Sequence, residues 1–246
     1  MNNYRFWNNA LGWTTFVVAL ITYTLTLEPT VSFWDCGEYI TTSVKLEVGH
    51  PPGAPVFQLI ANVMSQLALG DVTRQAYWVN FTSGLSSALT IPFLFWTITM
   101  LAKKLVRGEE SLGQNIAVLG SGLVGALAFT WSDSFWFSAV EGEVYAMSSF
   151  FTAAAFWAAL KWEASTDHDP RANRWLLLVA YLTGLSIGVH ILVFLIIPAV
   201  VMIYFYKNYP KVTLRTWVVA NAAAVVVLAL VFAVIIPVIL RLFGLF

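Results

Sequence analysis

Of the 246 residues, 59% are apolar and 11% charged, against roughly 25% charged in soluble domains. That composition excludes an ordinary soluble domain and marks an all-α polytopic membrane protein. Thirteen basic and thirteen acidic residues cancel, so no global positive field points to nucleic acid. The single cysteine, Cys36, permits no internal disulfide, and no Cys/His spacing has the form of a metal framework.

The first apolar run, 11–27, follows only Arg5 and carries no small-x-small cleavage site, so it reads as a retained span and not a signal peptide. Seven further stretches follow at 53–69, 76–101, 114–131, 144–160, 175–189, 190–206 and 216–240. The run 175–206 would be about 48 Å long as one helix, too long for a single crossing of a hydrocarbon core of about 30 Å. It is therefore split into a hairpin near Gly188 and His190.

Stretch 53–69 has Gln58, Asn62, Ser65 and Gln66 on one helical face and Val56, Ile60, Val63 and Leu67 on another. This is the pattern of a helix lying in the membrane interface. If it does not cross, Arg5, Lys103, Lys104, Arg107, Lys161, Arg171, Arg174, Lys207, Lys211 and Arg215 share one side, ten of the thirteen basic residues. The positive-inside bias makes that side cytoplasmic. The opposite side then receives Glu28, Asp35, Glu38, Glu47, Asp71, Asp133, Glu141 and Glu143. The expected architecture is about seven transmembrane helices in one membrane domain, 1–246, with interfacial helices in a first external loop, 28–75. The sequence ends at Gly244-Leu245-Phe246 directly after an apolar stretch, as expected of the leading part of a longer protein.

The chemistry concentrates in the first loop, at Phe33-Trp34-Asp35-Cys36-Gly37-Glu38-Tyr39 and Gly49-His50-Pro51-Pro52-Gly53. Carboxylates where a membrane helix meets water cost several kcal/mol unless solvated or paired, which makes them candidates for function. Asp35 reads in two ways. It is a candidate general base, or the N-cap of a helix over 38–46 whose capping box Glu38 completes. His50 is a phosphate or acceptor contact, or a turn histidine; the two prolines and Gly53 set the bend. Lys45 and Arg74 are the only basic residues on the acidic side before the last span, and each is either a phosphate ligand or a snorkelling anchor. Glu141-Gly142-Glu143-Val144-Tyr145 opens the fourth span opposite the first loop, as a second part of a site or as acids favouring a helix N-terminus. His190 is a site residue or a buried structural histidine. Trp34 is placed to stack on a sugar ring, whereas most other Trp and Tyr residues suit the interfacial belts.

This order of a first span, acidic loop motif, His-Pro-Pro turn, interfacial helix, Arg and second acidic loop resembles the GT-C membrane glycosyltransferases. Asp35-Cys36-Gly37-Glu38 with Gly49-His50-Pro51-Pro52-Gly53 is similar to glycosyltransferase family 117. The resemblance implies a GT-C-like bundle that transfers a sugar from a polyprenyl-phosphate carrier to an acceptor hydroxyl, on a polypeptide Ser or Thr, at the non-cytoplasmic face of a bacterial inner membrane. It implies catalytic roles for Asp35 and Glu38 and substrate contacts at Trp34, Lys45, His50, Arg74, Glu141, Glu143, Tyr145 and His190. No cofactor is expected, although a divalent ion between Asp35 and Glu38 stays open. The competing classes are a transporter, in which intramembrane acids form an ion path, and a non-catalytic assembly subunit.

Overall fold

The computed structural model describes residues 2–106, 111–166, 169, 171–209, 211–235, 237–238 and 241. Arg107, the chain end Gly244-Leu245-Phe246 and part of the expected stretch 216–240 lie outside the described residues. Among those described, the ordered elements are helical: α1 Asn2–Leu25, α2 Cys36–Lys45, α3 Pro55–Ser65, α4 Gln75–Leu105, α5 Leu112–Thr130, α6 Asp133–Ala139, α7 Val144–Glu163, α8 Asn173–Ile187, α9 Ile196–Asn208 and α10 Leu214–Leu230. Short 3₁₀ turns precede α4 and α9, and a π-helical turn follows α10.

Among the described residues, four segments are long and apolar enough to cross a membrane: Val72–Leu105, Leu112–Thr130, Ile191–Asn208 and Leu214–Val234. The remaining expected spans form α1, α7 and α8, of 24, 20 and 15 residues. At about 1.5 Å per residue α8 extends roughly 22 Å, less than the hydrocarbon core. The hairpin of 175–206 is present, turning through Gly188, Val189 and His190.

Helix α4 is the central post, packed against α1, α3, α5 and α7. Its buried face is mostly small and polar: Ser83, Gly84, Ser86, Ser87, Ala88 and Thr90. Side chains of this size let helix backbones approach closely where lipid supplies no hydrophobic drive between helices. Tyr23, Ala88, Ile91, Phe95, Ala126 and Phe135 fill the space between α1, α4, α5 and α6. A second core of Cys36, Ile40, Phe57, Val79, Val144, Met147 and Val189 lies where α2, α3, α4 and α7 meet.

The two ends of this bundle differ in charge. At one end Lys103 lies over the Tyr4 ring at 4.5 Å, Lys104 pairs with Glu163, and Lys207 donates to the Trp162 and Ser165 carbonyls, both at 2.8 Å. At the other end Asn80 Nδ2 donates to the carbonyls of Glu28 and Thr30 at 2.7 and 2.8 Å. The exit of α1 and the start of α4 therefore share an end, and the segment between them leaves and rejoins the bundle there. Helix α3, eleven residues or about 16 Å long, does not cross.

The amphipathic pattern of α3 is realised with its polar face inward. Gln58 and Ser65 are buried while Leu59, Ile60, Val63 and Leu67 point outward. Asn62 Nδ2 donates to the Ser43 and Val44 carbonyls at 2.9 and 3.0 Å, satisfying carbonyls that the last turn of α2 leaves unpaired. Polar side chains here staple α3 to α2, and the apolar face is left for lipid.

Candidate functional site

The end that holds Asn80 gathers the sequence motifs. Asp35 takes the N-cap position of α2 but makes no side-chain capping bond. The capping box is absent because the Glu38 carboxylate turns instead to His50, accepting its backbone N–H and facing its Nδ1 at 3.1 Å. Gly49 makes this possible, since a Cβ there would stand 2.9 Å from Glu38 Oε1. Hydrogen bonds from His50 hold the Glu38 carboxyl below the usual carboxylate range, and the Glu38 hydrogen bond and charge raise the His50 imidazole. Asp35, Glu38 and His50 place ligand atoms within 4.8 Å of one another, so they are the residues that could hold a cation.

The second loop closes over the first from α6 to α7. Glu141 and Glu143 are both buried. Burial raises the Glu141 carboxyl, partly offset by a hydrogen bond from Ser32. Glu143 is pushed up to about 7 by burial first, then by the charges of Glu141 and Asp35. A carboxyl near neutrality can accept or donate a hydrogen bond at working pH.

Two side chains of α4 bind the loops together. Asn80 is fully buried; beyond its bonds to Glu28 and Thr30, its Oδ1 faces Cys36 Sγ at 3.8 Å. A Cβ on Gly142 would meet that Oδ1 at 3.0 Å. Ser83 Oγ donates to the Glu143 carbonyl and accepts from the Glu143 N–H, both at 3.1 Å. Sequence reasoning missed Asn80 and Ser83. The available signal was the polar run Asn80, Thr82, Ser83, Ser86, Ser87, Thr90 inside an apolar stretch, which also describes any tightly packed membrane helix.

Tyr145 and His190 meet at the same end, with ring centroids 5.1 Å apart. His190 is half-buried and caps the 3₁₀ turn Ile191–Leu195, its Nδ1 accepting from the Leu192 N–H at 3.2 Å. That bond makes Nδ1 the acceptor and leaves the ring proton on Nε2. Tyr39 links the parts: its ring lies 5.9 Å from His50 and 5.6 Å from Phe57. Burial and the charges of Glu143 and Asp35 push its hydroxyl up to about 12. The Gly188 carbonyl accepts from the Val56 N–H at 2.7 Å, docking α3 on the turn that carries His190.

The other expected contacts are engaged elsewhere. Lys45 ends α2, about 14 Å along the axis from Asp35's end, and pairs with Glu47 at 4.0 Å. Arg74 pairs with Asp71 at 3.3 Å and lines a pocket with Pro29, Thr73, Tyr77 and Trp78. Trp34 is 87% exposed in a left-handed conformation with φ 57°, a placement that costs a non-glycine residue about 1–3 kcal/mol.

A family model described as the Protein O-mannosyl-transferase TMEM260 N-terminal domain matches residues 35–213, starting on Asp35. The protein O-mannosyl-transferase tmem260 of Dictyostelium discoideum is 27% identical over 138 residues, which is 56% of this chain and 15% of that protein. The protein O-mannosyl-transferase TMEM260 of Mus musculus is 30% identical over 152 residues, 61% of this chain and 19% of that protein. The matched part thus spans under a fifth of these relatives' length. No solved structure matches.

Proposed function

Because the chain belongs to the family of the protein O-mannosyl-transferase TMEM260 N-terminal domain, we propose that it is a membrane glycosyltransferase moving a sugar, mannose by the relatives' names, from a polyprenyl-phosphate carrier to a polypeptide hydroxyl. The observation that carries this reading is the convergence of Asp35, Glu38 and His50 from the first loop with Glu143 from the second, at the end of the bundle opposite Lys103, Lys104 and Lys207. That polarity supports a site on the non-cytoplasmic face, the periplasmic side in a bacterial inner membrane.

A Ser or Thr hydroxyl is a weak nucleophile. The carboxylate of Asp35 takes its proton as the oxygen bonds to the anomeric carbon, and the carbon–oxygen bond to the carrier breaks. The electron pair of that bond leaves on polyprenyl phosphate, which needs no strong general acid. Glu38 fixes His50 and favours its protonated form, and in that form the ring offsets the developing phosphate charge. Glu141, Glu143 and Tyr145 contact sugar or acceptor hydroxyls, with Trp34 at the rim. Arg74, once exchanged from Asp71, is a second phosphate contact from the first turn of the Val72–Leu105 segment.

The test is direct. The purified protein is incubated with a panel of polyprenyl-phosphate sugars and a Ser/Thr-rich peptide, and glycosylated peptide or free sugar is measured. Transfer from one carrier sugar is expected, and absence of both transfer and hydrolysis across the panel overturns the reading.

A further inference from the structure

Three grooves of similar size, about 400, 440 and 430 Å³, run between helices, so volume does not distinguish them. Charge does. Neither the groove between α1 and α5 nor the one between α4, α7 and the 3₁₀ turn Ile191–Leu195 has a charged side chain in its lining. The third runs between α9 and α10 and is lined in part by Arg215.

This third groove is layered as a leaflet is. At its mouth, at the end of the bundle that holds Lys104 and Lys207, stand Arg215 in the first turn of α10 and the rings of Tyr204 and Tyr209. Below them lie Val201, Val219, Ala220 and Ala223. From Arg215 to Ala223 is eight residues of α10, about 12 Å, which keeps the groove within one half of a hydrocarbon core of about 30 Å. Its aromatic wall is fixed from behind: the Tyr204 ring lies parallel to Trp162 with centroids 5.7 Å apart, and Tyr209 stacks on Phe205 at 5.4 Å. The Thr216 hydroxyl is engaged within the cap of α10, donating to the Thr213 carbonyl at 3.0 Å. The guanidinium and the two phenols are then the polar groups left to face a ligand.

Arg215 is exposed, and among the described residues no carboxylate pairs with it. Of the acids at this end, Glu163 is taken by Lys104, and Asp169 accepts from the Arg171 N–H at 2.8 Å. A guanidinium there offers a fork that grips two phosphate oxygens, and basic pockets between membrane helices on the cytoplasmic side take anionic lipid head groups. Helix α10 buries only Ala220 and Ala224, so a chain in the groove covers a face that α9 leaves open.

We propose that this groove is a binding site for an anionic phospholipid, with the phosphate on Arg215 and one acyl chain between α9 and α10. A zwitterionic lipid fills the same volume but carries a compensating ammonium beside its phosphate, so the guanidinium favours the anionic one. The head group lies at the opposite end of the bundle from Asp35. Such a site is therefore separate from the proposed chemistry, and it stands whether or not the protein transfers sugar.

Phosphatidylglycerol carrying a diazirine in one acyl chain is incorporated with the protein into nanodiscs of phosphatidylcholine and photolysed. Labelling is expected on peptides covering 201–209 and 215–223, competed by unlabelled phosphatidylglycerol and not by further phosphatidylcholine. Arg215→Ala is expected to lower that labelling about tenfold, and Arg215→Lys to recover part of it, having the charge without the fork. Arg5→Ala, which removes a cation from α1 at the same end, leaves it unchanged. Equal competition by phosphatidylcholine, labels spread evenly over the three grooves, or unchanged labelling in Arg215→Ala overturns the site. A dimer joined through α9 and α10 with the groove unlabelled overturns it as well, since the groove is then an interface between copies. Mapping on the wild-type protein needs no variant to fold.

Discussion

The two ends of the bundle use charge in opposite ways. At the end that holds Lys104, Lys207 and Glu163, each named charge staples helices: an ion pair from α4 to α7, and an ammonium from α9 on the last carbonyls of α7. A cation at a helix C-terminus also complements its dipole. At the end that holds Asp35, carboxylates converge without a matching set of cations, and Glu141 and Glu143 are buried beside one another. Burying like charges together costs free energy, so the acidic end gives up stability to assemble a set of groups. In the proposed transferase reading the costly end is the working end, and substitutions at the two ends test it.

The largest effect is expected at Asp35. Asp35→Asn keeps size and hydrogen bonding but removes the proton acceptor, so transfer is expected to fall by about 10²-fold or more with donor binding retained. Initial rates and a donor titration check this. Wild-type turnover would reduce Asp35 to the residue at the N-cap of α2.

Asn80→Ala is expected next, with a loss of about 2–3 kcal/mol because two backbone carbonyls lose their donor. The thermal midpoint in detergent reads the stability loss. A fall in kcat at unchanged donor KM, measured below that midpoint, separates misplacement of Asp35 from a general loss of structure.

Glu143→Gln tests the cost of the acidic end through pH. The folded carboxyl titrates near 7, above its usual 4.5, so its contribution to stability is fully present below about pH 4.5 and is lost as pH rises through 7. The Gln variant is therefore expected to match the wild type near pH 4 and to exceed it by on the order of 2 kcal/mol above pH 7. Midpoints measured across that range decide it, and a difference independent of pH would mean that Glu143 is not strained.

Much of this division was legible in the sequence. Charge arithmetic alone separated Lys103, Lys104 and Lys207 from the acidic motifs, whereas the meeting of His50 with Glu38 was not read from the sequence. The capping box was legible but not formed, because a carboxylate offered both an imidazole and a backbone N–H by the same residue turns to that residue. Asn80 and Ser83 were hidden for a different reason. Their role is set by what crosses them in space, two loops fifty and sixty residues distant, and periodicity carries only local information. The polar face of α3 was visible, but its direction was not: whether an amphipathic helix turns its amides to water or to a neighbour depends on unpaired carbonyls near by, here those of α2.

The smallest effect is expected at the stapled end, and it is the control on the whole comparison. Lys104 and Glu163 are paired, but their side chains keep 44% and 26% of their surface exposed. A partly solvated ion pair gains little Coulomb energy beyond what water supplies and loses side-chain freedom, so such pairs contribute about 0–1 kcal/mol. Lys104→Ala should therefore lower the thermal midpoint slightly, more at low salt than at high, since exposed pairs are screened. Transfer should be unchanged, because α4 spans the distance between Lys104 and Asn80 and the remaining staples from Lys207 hold the end of α7. Initial rates at matched protein concentration, read beside the midpoint at two salt concentrations, give the answer. A tenfold loss of transfer without a matching loss of stability would show that charge at the far end reaches the chemistry, and the division into a stapled end and a working end would fail.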